Sequence, residues 1–245
     1  MPAHGELMVV DDAEAFADTG ARLFAEAAES AKGRFVVGLA GGSTPKSIYR
    51  KLAVSPYQGS LRWDDMDLVL CDERFVAHDS PNSNLHMIRD ALVDHTDDLI
   101  AGLHPVPFNG LTVDRAATAY EQLLKRLYGH ETLMANKPLF DLCFLGMGDD
   151  GHTASLLPGQ VELLDEKQRW VLPVTKGRPE ARVTLTYPVL ESARLVVFLV
   201  SGESKRGMLD RILSGRETDV PAARLRPQGR LLWLADRSAA GTWAA

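Results

Sequence analysis

Short apolar runs recur along the chain and predict the strands of a buried sheet. Each run is brief and rich in Val, Leu and Phe, and segments with helical spacing lie between most of them. Strands that are apolar throughout are typical of a parallel sheet whose two faces are covered by helices. The chain is therefore expected to form a mainly parallel α/β sheet. The predicted strands are residues 35–39, 66–71, 140–145, 195–200 and 231–234.

One helix and one further strand can be placed from their sequence pattern. Asp11 or Asp12 can cap a helix that runs to Lys32, and Gly33 supplies a left-handed stop. Residues 182–186 alternate polar and apolar side chains, which predicts a half-exposed edge strand. The chain contains no internal repeat, charge block or flexible linker, so we expect a single domain over residues 1–245.

Composition and charge narrow the class of protein. Apolar residues make up 45% of the 245 residues and charged residues 24%, as in ordinary globular proteins, which excludes collagen-like and disordered chains. The 27 basic and 33 acidic residues leave a net charge of −6, which disfavours binding to nucleic acid or to an anionic membrane. An anionic ligand would therefore need a local cluster of basic residues.

The cysteines and the lengths of the apolar runs indicate in which cellular compartment the protein is expected. Cys71 and Cys143 both lie within apolar runs, so we expect core thiols of a reducing compartment and no disulfide framework. The longest strongly apolar run, 195–200, is far shorter than the roughly 20 residues that span a bilayer. The acidic N-terminus lacks the basic-then-apolar pattern of a signal peptide. These features predict a cytoplasmic protein.

The segment after the first predicted strand is a candidate phosphate site, because ligands of parallel sheets collect beyond the carboxyl ends of the strands. Gly41 and Gly42 allow close backbone approach, Thr44 can serve as N-cap after Ser43, and Pro45 suits the first helical turn. The free N–H groups of such a helix start suit a phosphate. The alternative is an ordinary glycine turn, and the motif matches neither a Walker loop nor a dinucleotide fingerprint.

Ionisable residues follow the second predicted strand at 72–74. Such residues are poorly placed for a core and well placed for a pocket. Arg74 could hold an anion or a developing oxyanion, and Asp72 is a candidate for binding substrate. Asn84 is a second such candidate and could also cap the helix that follows. A solvated loop with internal ion pairs is the alternative.

The segment after the third strand holds the candidate catalytic pair. Glycines at 146, 148 and 151 surround His152, an arrangement that costs chain entropy unless geometry demands it. Asp150 can orient the His152 ring so that it acts as a base near neutral pH. Asp149 either assists Asp150 or caps the turn. An Asp-x-His pair offers only two ligands, so no metal site is expected, and the chain has no serine-hydrolase elbow.

Two more basic residues could reach the same ligand. Arg182 begins the alternating segment, and Lys205 lies just beyond the run 195–200. Each alone is as well explained as a surface residue. Together with the turn at 41–45, they would give one phosphate a guanidinium fork, an ammonium group and backbone donors.

Taken in order, these segments resemble the family of 6-phosphogluconolactonases and glucosamine-6-phosphate isomerases/deaminases. The block 146–159, GMGDDGHTASLLPG, is highly specific, and the other matches carry weight through their order. The resemblance implies a Rossmann-like α/β fold, no metal or organic cofactor, and a sugar phosphate as substrate. The other matching segments are residues 41–45, 72–74, 83–84, 182–186 and 198–205.

Two positions favour the lactonase branch of this family. The isomerase/deaminase branch has a glutamate where this chain has Leu157, and a tyrosine where it has Arg74. The resemblance thus implies hydrolysis of 6-phospho-D-glucono-1,5-lactone, with His152, oriented by Asp150, activating water and Arg74 stabilising the oxyanion. The residues that it implies for holding the phosphate and the sugar are Gly42, Ser43, Thr44, Asp72, Asn84, Arg182 and Lys205.

Some positions depart from the lactonase pattern, and two other functions stay open. Leu157 replaces a common phenylalanine, and residues 176–181 lack the usual double proline, so the wall of the sugar pocket is left undefined. The alternatives are an amino-sugar phosphate isomerase/deaminase and a non-catalytic sugar-phosphate sensor, although no DNA-binding segment is attached. We expect a small-molecule partner and favour a monomer.

Overall fold

A computed structural model describes residues 2–96 and 102–244. Its strands are β1 Glu6–Val10, β2 Phe35–Leu39, β3 Met66–Leu70, β4 Asp72–Arg74, β5 Gly102–His104, β6 Leu142–Gly146, β7 Val171–Val174, β8 Arg182–Leu185, β9 Leu195–Val200 and β10 Arg230–Asp236. Its α-helices are α1 Ala13–Ser30, α2 Ser43–Leu52, α3 Tyr57–Ser60, α4 Asn84–Ala91, α5 Val113–Tyr128, α6 Val161–Leu164, α7 Tyr187–Glu191, α8 Arg206–Leu213, α9 Pro221–Arg224 and α10 Arg237–Ala240. Within these ranges, no helix is both long and apolar enough to cross a bilayer.

The main sheet is parallel and has the strand order β1-β10-β9-β6-β2-β3-β5. The five strands predicted from apolar runs are its five inner strands, so the expected Rossmann-like parallel sheet is confirmed. The two edge strands, β1 and β5, were not predicted. β1 is only half-buried and β5 has three residues, so neither shows the apolar run of a central strand.

Helices cover both faces of this sheet, as expected. Alternate residues of each inner strand enter one of two separate apolar clusters. One cluster includes Phe24 and Ile48 from α1 and α2, and the other includes Tyr120 and Leu209 from α5 and α8. Burial on both faces explains why the inner strands carry almost no polar side chains. The extent of the domain, residues 1–245, stays a prediction.

The predicted half-exposed edge strand at 182–186 is wrong. Its residues 182–185 form β8, the central and largely buried strand of a second sheet with the antiparallel order β4-β8-β7. The polar positions of the alternation do not face solvent. Thr184 Oγ1 accepts a hydrogen bond from the Ser155 N–H at 3.1 Å, and Thr186 Oγ1 donates to the Arg169 carbonyl at 2.6 Å. Sequence alternation cannot distinguish a solvated face from one with buried hydrogen bonds.

Helix ends also differ from the predictions in detail. Asp12 caps α1, which ends at Ser30, short of the predicted Lys32. Gly42, with φ +104°, precedes α2 and takes the place expected for Thr44, while Pro45 lies in the first turn as expected. Glycine can adopt the positive φ found at this N-cap, and α2 begins there without a hydrogen bond from a capping side chain.

The cap expected from Asn84 is made by its neighbour. The Ser83 hydroxyl accepts a hydrogen bond from the His86 N–H at 3.1 Å, so Ser83 is the N-cap of α4 and Asn84 is its first residue. Adjacent Ser and Asn are both good N-caps, so sequence alone does not select between them. As a result the Asn84 side chain is left for other contacts.

The two cysteines are buried and free, and they approach each other across a glycine. Cys71 and Cys143 lie on opposite sides of β2, and their Sγ atoms are 3.5 Å apart. A Cβ atom at Gly38 would lie 2.9 Å from one sulfur and 3.0 Å from the other. Their strands are separated by two spacings of about 4.8 Å, beyond the usual Cα reach of a disulfide. The expectation of core thiols is confirmed.

Glu73 ties β4 to the start of α4. It is 2% exposed, and its carboxylate accepts hydrogen bonds from the backbone N–H groups of Asn84 at 2.7 Å and Leu85 at 2.8 Å. The Ser83 hydroxyl donates to it at 2.9 Å. Burial raises the pKa of the Glu73 carboxyl from its ordinary 4.5, although the accepted hydrogen bonds oppose the shift. A buried carboxylate therefore fixes the helix that carries Asn84.

Replacing Glu73 by glutamine should lower the free energy of unfolding by about 2 kcal/mol at neutral pH, because an amide nitrogen would face donors and leave them unpaired. The raised pKa means that the folded protein binds this proton more tightly than the unfolded chain. Ionisation of Glu73 thus costs stability as the pH rises above 4.5. Glutamine does not titrate, so the difference between wild type and variant should narrow from pH 4.5 to neutral pH.

Urea unfolding curves at the two pH values measure this difference. Glu29→Gln, at an exposed position near the end of α1, is the matched control and should leave the free energy of unfolding unchanged. A difference between wild type and the Glu73 variant that widens with rising pH would contradict the buried-carboxylate interpretation.

Candidate active site

A cavity of about 280 Å³ opens at the carboxyl ends of β2, β3, β6 and β9. Nine of the ten site residues predicted from sequence line its wall, and the tenth, Asp150, contacts His152 from behind the wall. The nine predicted residues in the wall are Gly42, Ser43, Thr44, Asp72, Arg74, Asn84, His152, Arg182 and Lys205. Parallel strands thus bring together residues that are far apart in sequence.

His152 and Asp150 form a hydrogen-bonded pair. The Nδ1 atom of His152 lies 2.5 Å from Asp150 Oδ1, and the His152 backbone N–H donates to the same oxygen at 3.1 Å. Partial burial opposes ionisation of Asp150, but these hydrogen bonds outweigh it and lower the pKa of the carboxyl. An ionised Asp150 favours the tautomer in which the shared proton is on Nδ1. In that tautomer the Nε2 atom keeps its lone pair and can act as a base.

Space or backbone conformation requires glycine at 148 and 151, whereas a Cβ at Gly146 would meet no atom within 4 Å. A Cβ atom at Gly148 would lie 2.0 Å from His152 Nδ1 and 2.6 Å from Asp150 Oδ1. Gly151 adopts φ +79°, and its N–H donates to the Gly148 carbonyl at 3.0 Å, which closes a tight turn before His152. Gly148 and Gly151 lose more conformational entropy on folding than other residues would, but they allow the imidazole and the carboxylate to come together.

Arg178 also reaches the pair, and the sequence did not assign it a role. Its NH2 atom lies 3.4 Å from Asp150 Oδ2 and 2.9 Å from His152 Nδ1. In the tautomer that carries the proton on Nδ1, Arg178 NH2 and Nδ1 are both donors, and both lie near the Asp150 carboxylate. Arg178 lies in an irregular segment, and only the folded loop brings it to the pair.

Asn84 holds Arg74 in place. Its Oδ1 accepts a hydrogen bond from Arg74 NH1 at 2.9 Å, and its Nδ2 donates to the Asp72 carbonyl at 2.9 Å. The Asn82 carbonyl also accepts from Arg74 NH1 at 2.9 Å. A Cβ atom at Gly41 would lie 1.9 Å from Asn84 Oδ1, so Gly41 provides the space that this amide occupies.

Asp72 is buried in the cavity wall and is held by Ser155. The Ser155 hydroxyl donates to Asp72 Oδ2 at 2.5 Å. The preceding Ala154 adopts φ +48°, a left-handed conformation that costs a non-glycine residue about 1 kcal/mol or more. This turn brings Ser155, which lies three residues after His152, into contact with Asp72. The serine in the 146–159 block, to which the sequence assigned no role, thus links it to β4.

Two arginines lie side by side on neighbouring strands of the second sheet. Arg74 and Arg182 are directly paired in the β4–β8 register, and both line the cavity. Burial lowers the pKa of Arg182, and the nearby positive charge of Arg74 lowers it further. The Asp72 carboxylate, whose Oδ2 is 3.7 Å from Arg182 NH1, opposes this shift. Among the described residues, Arg182 Nε is buried without a hydrogen-bond partner. Like charges directly opposite destabilise a strand pair, so the arrangement favours negative charge near these guanidinium groups.

Lys205 enters the cavity from the turn after β9. Its Nζ lies 2.6 Å from Asp149 Oδ1, and this hydrogen bond lowers the pKa of Asp149. Asp149 therefore orients a lysine, a role different from the two expected for it. The turn is held by the buried carboxylate of Asp236, which accepts hydrogen bonds from the Ser201 hydroxyl at 2.5 Å and the Gly202 N–H at 3.0 Å.

The start of α2 completes the wall. Gly42, Ser43 and Thr44 line the cavity at the first turn of this ten-residue helix. The first N–H groups of an α-helix have no partner within the helix and carry partial positive charge. The wall therefore combines backbone donors, two guanidinium groups and an ammonium group with one imidazole. Such a wall can bind a phosphate and activate a nucleophile in the same cavity.

Relatives of known name cover most of the chain. A 6-phosphogluconolactonase of Nostoc sp. is 38% identical over 211 residues, which are 85% of this chain and 84% of that protein. The 6-phosphogluconolactonase of Rattus norvegicus is 36% identical over 250 residues, which are 98% of this chain and 94% of that protein.

Solved structures show how widely the fold is shared. A 6-phosphogluconolactonase from Thermotoga maritima superposes with a TM-score of 0.79 at 29% identity and covers 94% of this chain and 99% of its own. A monomeric glucosamine-6-phosphate deaminase also superposes with a TM-score of 0.79, at 24% identity over 96% of this chain and 98% of its own, which shows the fold alone.

The family model described as glucosamine-6-phosphate isomerases/6-phosphogluconolactonase matches residues 11–233, which include every residue of the cavity wall. Together with the relatives, this match settles the family to which the resemblance of the sequence pointed. The chain belongs to the glucosamine-6-phosphate isomerase/6-phosphogluconolactonase family.

Proposed function

We propose that this chain hydrolyses 6-phospho-D-glucono-1,5-lactone to 6-phospho-D-gluconate, the lactone hydrolysis of the oxidative pentose phosphate pathway. The observation that carries the proposal is the convergence of the His152–Asp150 pair and the Arg74–Arg182 pair on one cavity. A base and an anion site side by side are what hydrolysis of a phosphorylated lactone requires. The names of the similar relatives support the same activity.

In the first step, His152 Nε2 removes a proton from water while the water oxygen attacks the lactone carbonyl carbon. The carbonyl π electrons move to its oxygen, which becomes the oxyanion of a tetrahedral intermediate. Asp150 stabilises the imidazolium that forms, because its carboxylate accepts the Nδ1–H. General-base catalysis of this kind contributes about 10²- to 10⁴-fold.

In the second step, the oxyanion re-forms the carbonyl and the bond from C1 to the ring oxygen breaks. His152 returns its proton to the departing ring oxygen, which becomes a hydroxyl group. The products are the open-chain acid, which ionises to its carboxylate, and a neutral imidazole ready for another cycle. Arg74 is the candidate to stabilise the oxyanion, since Asn84 holds its guanidinium at the cavity wall.

The phosphate of the substrate is held away from the reacting carbon. Arg182, Lys205 and the start of α2 supply a guanidinium fork, an ammonium group and backbone N–H donors. Binding energy from this remote group orients the lactone against His152. Asp72, held by Ser155, is a buried acceptor in the same wall and suits a hydroxyl group of the sugar.

A residue outside the cavity lining bears on the choice between the two activities of the family. Amino-sugar isomerisation with deamination needs a further acid/base group, and the glutamate of that branch is here Leu157, 5% exposed and part of an apolar cluster. A non-catalytic sensor would need no oriented imidazole. Catalysis without a metal or organic cofactor, a monomeric state and a cytoplasmic location stay predictions from the sequence.

Replacing His152 by glutamine should lower kcat on freshly prepared 6-phospho-D-glucono-1,5-lactone by about 10²- to 10⁴-fold, because glutamine cannot accept a proton from water. Acid release above spontaneous hydrolysis is the measurement. The matched control is His130→Gln, an exposed histidine outside the cavity, which should keep full activity. A folded His152 variant with wild-type activity would remove the proposed base, and ammonia release from glucosamine 6-phosphate would favour the other branch.

Replacing Lys205 by methionine should raise KM for the phosphorylated lactone by about 10-fold or more, because one charge-assisted hydrogen bond to the phosphate is lost. The KM for unphosphorylated glucono-1,5-lactone should stay within twofold of the wild-type value, which makes the ratio of the two KM values the measurement. Lys167→Met, at an exposed position outside the cavity, should leave both unchanged. Equal losses on both substrates would contradict a phosphate role.

Replacing Gly148 by alanine should lower kcat at least 10²-fold while the protein stays folded, because the new methyl group would displace the His152 ring from Asp150. Initial rates, with a thermal unfolding curve as the folding check, are the measurement. The control is Gly207→Ala in α8, where an added Cβ meets no atom within 4 Å. Full activity of the Gly148 variant would show that the hydrogen-bonded pair is not needed.

A further inference from the structure

We propose that Arg178 is a positioning residue that holds the second carboxylate oxygen of Asp150 so that the first stays directed at His152. The inference rests on the proposed function, in which His152 is the base. Asp150 Oδ1 lies 2.5 Å from His152 Nδ1, while Oδ2 lies 3.4 Å from the NH2 atom of Arg178. The carboxylate is thus held at both ends by different partners.

The Asp150 carboxylate needs such a second contact. Its side chain is 48% exposed, and both N–H donors of His152 reach the same oxygen. The last torsion of an aspartate is broad and has no sharply preferred value. A carboxylate held at one oxygen can therefore rotate, and the bond to Nδ1 then lengthens. A cation at Oδ2 restricts that rotation and also keeps Asp150 ionised as an acceptor.

The loop at residues 175–181, between β7 and β8, brings Arg178 to this position through contacts at both ends. The Gln160 side chain donates to the Lys176 carbonyl at 3.0 Å, and the Phe75 N–H donates to the Ala181 carbonyl at 2.8 Å. Gly177 turns the chain with φ +79°, and a Cβ there would lie 2.6 Å from Gln160 Nε2. The loop is therefore fixed to two other segments of the chain, at Gln160 and Phe75, and it presents Arg178 with its side chain 29% exposed.

A competing arrangement has Arg178 donating to His152 Nδ1, from which it is 2.9 Å away. His152 would then carry its proton on Nε2 and could not act as a base. The 2.5 Å contact with an ionised Asp150 argues against it, because a nitrogen lone pair and a carboxylate oxygen repel at that distance without a proton between them. The two arrangements predict opposite results, since removal of Arg178 would then increase kcat.

The test replaces Arg178 by alanine and separately by lysine. We expect Arg178→Ala to lower kcat on 6-phospho-D-glucono-1,5-lactone by about 10- to 100-fold with KM changed less than twofold, because the misoriented pair loses catalysis and not binding. Arg178→Lys should fall between wild type and alanine. Guanidinium ion added to the alanine variant should restore part of kcat. Lys176→Ala, with the same loss of charge in the same loop, is the matched control and should keep wild-type kcat.

Imidazole NMR supplies a readout that does not depend on turnover. In the wild type we expect the Nδ1–H proton of His152 to be strongly deshielded by its hydrogen bond to Asp150. Loss of the signal in His152→Gln assigns it. In Arg178→Ala the signal should weaken or be lost through exchange with water. The inference would be overturned if the alanine variant showed an unchanged or increased kcat or an effect on KM alone. An unchanged Nδ1–H signal in that variant would also overturn it. If the wild type fails to hydrolyse the lactone, the proposed function falls, and the NMR comparison still decides the role of Arg178.

Discussion

Parallel pairing of the inner strands is the constraint on which the site depends. Because β2, β3, β6 and β9 all run the same way, their carboxyl ends meet at one edge of the sheet, and the chain leaves each strand there. Apolar packing on both faces stabilises those strands. The same packing excludes polar groups from their interiors, so the ionisable residues are concentrated in the segments that follow. The cavity is thus a direct result of the way the core is built.

Most cationic groups at this site are held by fixed partners, and among the described residues the Nε of Arg182 is left without one. Lys205 is held by Asp149, Arg74 by Asn84, and the carboxylate between His152 and Arg178 serves both. A protein with a net charge of −6 can bind an anion only if such groups are collected locally and kept in place. Interactions made before the ligand arrives reduce the reorganisation that binding and catalysis would otherwise cost.

The fold by itself does not determine the activity. A lactonase and a deaminase superpose on this chain equally well, so the difference has to lie in side chains and not in the shared fold. Leu157 is buried in an apolar cluster outside the cavity lining and offers no acid/base group. Arg74 places a cation in the cavity wall, where the resemblance implies a tyrosine for the other branch. Each of these substitutions changes which proton transfers and charges the cavity can support, while the sheet beneath it is unaffected.

The sequence by itself determined the inner strands of the sheet and most of the cavity wall. Apolar runs indicate buried strands, and glycines beside ionisable residues indicate a loop with a constrained backbone. It could not place β8 at the centre of a second sheet, because alternation looks the same whether polar side chains meet water or a buried partner. Only the tertiary structure decided that Ser155 supports Asp72, that Asp149 orients Lys205 and that Arg178 reaches Asp150. These contacts depend on the paths of irregular loops, which are set by packing between distant segments and leave no periodic pattern in the chain.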